Sequence, residues 1–96
     1  MTYERMVELF ERDEVPEGAP YTIPSHEVPG MDSKFEAMLL LHCILPGSGN
    51  LAGAEHDEVY LTADLEALAE VITEADINAL MHRGVMCDGD GLSMFV

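Results

Sequence analysis

Positive charge is what this sequence has least of. Only Arg5, Arg12, Lys34 and Arg83 carry a fixed cation, against nineteen acidic side chains, for a formal net charge of −15 at pH 7. A surface of that sign repels phosphate and anionic lipid, so direct binding to a nucleic-acid backbone or an acidic membrane is not expected. Long apolar runs are missing too. The longest, Ala37 to Leu45, is interrupted by His42 and falls far short of the ~20 residues of a membrane span. Met1-Thr2-Tyr3-Glu4-Arg5 offers neither a basic region leading into an apolar stretch nor a small-residue cleavage site, and we expect a cytoplasmic protein. In that compartment Cys43, expected in a buried helix, and Cys87, expected in a strand, read as two free thiols among apolar neighbours.

Signatures of chemistry are equally sparse. His42 with Cys43 and His82 with Cys87 do not form the close ligand pairs of a structural zinc site, and neighbours on a helix diverge by about 100°. Asp88-Gly89-Asp90-Gly91 has the alternating aspartates of a calcium loop, but no glutamate follows at the required distance. His56-Asp57-Glu58 and His26-Glu27 set bases beside carboxylates, yet adjacency in sequence is not catalytic geometry. No serine stands in a nucleophile elbow. We therefore expect no enzyme, no metal and no cofactor.

Apolar side chains, by contrast, are plentiful. At 48% of the chain they exclude wholesale disorder, and 96 residues suit one domain spanning 1–96. Tyr3, Met6, Val7 and Phe10 recur at helical spacing and predict an N-terminal helix over 1–14, with Glu8 and Arg12 paired on its outer side. Val15-Pro16 ends it. Four prolines then make 15–32 an extended connector, with Tyr21, Ile23 and Val28 available to lie against the body.

Ser33 and Glu36 have the spacing of a capping box, opening a helix that is apolar almost all round and therefore expected at the centre, packed on more than one side. Pro46-Gly47 closes it. Ser48 to Asp57 reads as a loop and Glu58 to Leu61 as a short strand. Thr62 is the expected N-cap of a helix carrying Leu65, Leu68, Ala69 and Ile72 inward, and Thr73 caps a second with Ile77, Leu80 and Met81 buried. Arg83-Gly84 stops that helix. Met38, Met81 and Met94 fall on apolar stripes, so most methionines read as core. Apolar flanks around Asp88-Gly89-Asp90-Gly91 predict a C-terminal hairpin. The fold class is α+β, mostly helical.

The capped pair Thr62 to Ile72 and Thr73 to Arg83, followed by the Asp88–Gly91 hairpin, resembles the winged helix-turn-helix family over 33–96, with an extra N-terminal helix in front. That resemblance is one of element order. It implies that the start of the second paired helix (Glu74, Ala75, Asp76 and Asn78) faces a groove and that the wing (Asp88 and Asp90) faces phosphate. Carboxylates at those places depart from the family's basic surface, so the shape carries over and the DNA-binding role does not.

Acidity of this degree has three readings: a solvating shell, which is the default, adaptation to high salt, or a binding surface. We expect a small non-enzymatic module that binds and modulates another protein, with Glu74, Asp76, Asn78, Asp88 and Asp90 facing the partner and the N-terminal helix as a second docking element. Its size and charge lead us to expect a phage or mobile-element origin. A sharper form is nucleic-acid mimicry, in which carboxylates fill the basic groove of a nucleic-acid-binding protein. The alternative is a winged-helix transcription regulator acting through a local patch or a basic partner.

Overall fold

The computed structural model describes residues 1–16 and 33–95, so the connector's expected packing through Tyr21, Ile23 and Val28 lies outside the described residues. The first helix, α1 (Tyr3–Phe10), is capped by Thr2, whose hydroxyl accepts the backbone N–H of Arg5. Met6, Leu9 and Phe10 share its buried face, and the helix packs on elements from the far end of the sequence. Each such side chain contributes about 1.5–3 kcal/mol by leaving water. That face is spent on the protein's own core, so α1 is not the free docking element expected of it.

Arg12 departs from its expected place as well. It lies beyond the end of α1, half-buried, and its Nε donates to Leu9 O at 2.8 Å while the rest of the guanidinium turns inward. Glu8 pairs instead with Arg5 at 3.3 Å.

The second helix, α2 (Ser33–Ile44), buries Ala37, Leu40 and Leu41 but leaves His42 and Cys43 exposed and Phe35 61% exposed. One stripe of the helix is covered, rather than all sides. Cys43 is therefore a surface thiol, whereas Cys87 is buried. Ser48 ends the segment by donating to Leu41 O at 3.0 Å. Gly49 follows at φ +83°, and a Cβ there would collide with the Met38 carbonyl.

Leu51–Glu55, expected as loop, is the strand β1, paired antiparallel with β2 (Glu58–Leu61) through a two-residue turn at His56-Asp57. Its Ala and Gly content carries little strand preference, so the pairing with β2 imposes the conformation. Thr62 prolongs this ladder rather than capping a helix. Its N–H donates to Asn50 O and its carbonyl accepts from Gly49 N, both at 2.8 Å. The cap moves to Asp64, whose carboxylate accepts the Ala67 N–H and opens α3 (Leu65–Val71). Thr73 and Asp76 form the reciprocal capping box of α4 (Glu74–His82), and Gly84 leaves it at φ +89°.

The hairpin strands β3 (Met86–Cys87) and β4 (Leu92–Phe95) complete a four-stranded antiparallel sheet in the order β1-β2-β4-β3, giving an α+β protein. Side chains alternate across it. Val59, Leu61, Leu92 and Met94 face the helices, where Met6, Leu40, Leu41, Leu68, Ile77 and Leu80 are fully buried.

Candidate functional site

Two groups of the expected partner-facing residues lie at opposite ends of α1. At one end, Arg12 Nη1 approaches the exposed Glu74 carboxylate at 3.4 Å, and Nη2 donates to Asn78 Oδ1. Asn78 is only 8% exposed. It belongs to the seam between α1 and α4 and cannot face a partner, because a buried amide is held inward by the charge-assisted bond it accepts. Asp76 is engaged as well, accepting the Thr73 N–H at 3.0 Å in the capping box.

At the other end of α1, the Tyr3 hydroxyl donates to Gly89 O in the hairpin turn. Asp88 Oδ1 accepts the N–H groups of Asp90 at 2.9 Å and Gly91 at 3.2 Å, which fixes the turn and leaves both carboxylates exposed. Partial burial, then Cys87, Asp90, Glu4 and Asp88, raise the Tyr3 pKa above its ordinary value. Between Tyr3 and Arg12 lies about 13 Å of chain at helical rise, so these contacts form two patches.

The sheet adds carboxylates that the sequence reading passed over. On its face away from the helices, Glu55 stands opposite Glu58, and Gly53 opposite Tyr60, which in turn pairs with Ser93. Like charges directly opposed across strands are unfavourable. Glu58 first, then partial burial, then Glu55 raise the Tyr60 pKa. The phenol donates to Glu55 Oε2 at 3.5 Å. Beside it runs a groove of 230 Å³ lined by Ala52, Tyr60, Asp88, Asp90 and Ser93 among others. The wing-tip aspartates and the Glu55/Glu58 pair thus frame one exposed aromatic ring. An aromatic face with carboxylates at its rim attracts ammonium and guanidinium groups.

A second groove, of 420 Å³, is largely apolar and lined by Phe35, Met38, Leu39, His42 and Gly49. The histidines and cysteines weighed for zinc do not converge: His42 accepts the Gly47 N–H, His82 bonds Pro16 O, and Cys87 is buried in β3. Among the described residues no three His, Cys, Asp or Glu side chains come within joint reach of a metal ion. His56 sits exposed in the β1–β2 turn at φ 54°, and His26 lies outside the described residues. No helix among the described residues is long and apolar enough to cross a membrane. Comparison with protein-family models, curated proteins and solved structures finds no match to this chain.

Proposed function

We propose that this protein is a small non-enzymatic interaction module that docks its acidic sheet face and wing tip on a basic surface of another protein. The observation that carries the reading is the exposed Tyr60 ring, which has Asp88 and Asp90 along the groove on one side and the opposed Glu55/Glu58 pair beside it on the sheet, carboxylates from three separate stretches of chain. Charge of this density speeds encounter with a cationic partner and makes association salt-sensitive. In its sharper form the partner is a nucleic-acid-binding protein whose basic groove the carboxylates fill. Glu74, on the other acidic patch, extends the charged surface.

A winged-helix scaffold over 33–96 remains part of the proposal, supported by the run of helix, strand, two helices and hairpin, with β1 added. Among the described residues no local basic patch favours the regulator reading. Arg83 is half-buried, its Nη1 donating to Ala79 O and its Nε 3.5 Å from Glu36, and Arg12 is committed to Glu74 and Asn78.

Affinity capture from native extract, eluted with rising salt, tests the reading against a variant carrying Asp88→Lys and Asp90→Lys. A partner released by salt and lost by the variant supports it. Retention that ignores both salt and charge reversal sinks it, and moves attention to the apolar groove beside α2.

A further inference from the structure

We propose that the outer edge of β1 takes an extended, lysine- or arginine-bearing segment of the partner as a fifth strand of the sheet. The proposal rests on the acidic-docking reading and specifies its geometry. Among the described residues β1 pairs only with β2, so its other side presents backbone N–H and C=O groups without ladder partners. All five residues of the strand are exposed. Ala52, Gly53 and Ala54 raise no side-chain fence, and neither proline nor lysine guards the edge. The bulge between Leu51 and Gly53 keeps the regular stretch short.

Charge selects the occupant. A second copy would bring another net −15 to the same edge, and its Glu55 and Asp57 to the same carboxylates. A basic segment meets the opposite situation. In an added strand, the residue opposite Gly53 projects on the Tyr60 side, because cross-strand neighbours share a face. Gly53 has no side chain to obstruct it, and a Cβ placed there would touch Tyr60 Cδ2 at 4.0 Å, so the ring leans over the glycine toward the edge.

A cation reaching across therefore lands on the ring, 37% exposed, beside the opposed Glu55/Glu58 pair. It relieves the repulsion of those two carboxylates. Further along the same row, Ser93 is 8% exposed and lines the groove, and its hydroxyl makes no hydrogen bond among the described residues. An ammonium or guanidinium N–H entering the groove would supply one.

The test uses the full chain and two synthetic peptides: ten residues of alternating lysine and valine, and the same peptide methylated at every backbone nitrogen, which keeps the charge and abolishes the ladder. Binding is titrated at low ionic strength and amide exchange is followed on β1. We expect the first peptide to protect amides within Leu51–Glu55 and the methylated one to bind about tenfold more weakly or worse, from several lost hydrogen bonds. Tyr60→Leu should weaken the first peptide by about threefold. Equal binding of both peptides without protection on β1 overturns strand addition and leaves acidic docking standing. Failure of both peptides to bind removes both readings. Protection of β1 before any peptide is added, with sedimentation as a dimer, shows that a second copy holds the edge and overturns the choice of occupant.

Discussion

Arg12→Ala should be among the most damaging single changes in this protein, although the residue lies outside every helix. Its guanidinium donates to Asn78 Oδ1, and Asn78 is 8% exposed. Truncation leaves that acceptor buried and unpaired, at a cost of about 1–3 kcal/mol. The contact with Glu74 adds little, since Glu74 is 57% exposed and pairs of that kind contribute about 0.5 kcal/mol. A loss near 2 kcal/mol corresponds to a fall of about 10 °C in Tm for a domain of this size. Thermal unfolding by circular dichroism measures it. The double variant Arg12→Ala/Asn78→Ala should lose less than the sum of the singles, with a coupling of about 1 kcal/mol, because one bond is removed twice. A fall below 2 °C, or strict additivity, would refute the argument that this bond closes the seam between α1 and α4.

Alkaline pH should destabilise the fold. Burial raises the Cys87 thiol above its ordinary 9.0, against the opposing backbone bond at Gly89, and partial burial with nearby anions raises Tyr3 above 10.0. The folded state then holds its protons longer than the unfolded one, so stability is fully present below about pH 9 and declines as pH rises through the folded values. Urea midpoints that rise between pH 8 and pH 10.5 would contradict this sign. A thiol reagent should label one cysteine, Cys43, rapidly in the native protein and both after denaturation; two fast equivalents would mean that Cys87 is accessible. Gly49→Ala should cost about 2–4 kcal/mol, from a left-handed backbone together with the collision against the Met38 carbonyl. Gly47→Ala, at φ +95° in open space, should cost about 1 kcal/mol, and equal Tm shifts for the two would refute the steric part.

Elements governed by local chemistry were legible in the sequence. The Thr73 cap, the Gly84 stop, the Asp-Gly-Asp-Gly turn and the Glu58–Leu61 strand stand where periodicity and turn residues put them. What escaped depends on partners distant in sequence. β1 has the composition of a loop and becomes a strand because β2 lies beside it. Thr62 is drawn into the same ladder, which shifts the cap to Asp64. Arg12 looked like the outer member of a pair with Glu8, but its partners are 62 and 66 residues away. The candidate site divides in the same way. Asp88 and Asp90 were recognised from their turn, whereas Glu55, Glu58 and Tyr60 became a site only once the register set them on one face. A crossed strand pair of glutamates was the signal available, and it needed β1 to be seen.

The sheet order has a consequence for assembly. β4 comes last among the described elements and yet lies inside the sheet, between β2 and β3. Until those residues have been made and docked, β2 has only β1 beside it, and a two-stranded hairpin is marginal in water. Met94 and Leu92 are likewise absent from the core they later fill. The four-stranded sheet therefore closes only once β4 has been made. A chaperone or a protease meeting the nascent chain before then would find β2 with one neighbour missing and the core without Leu92 and Met94.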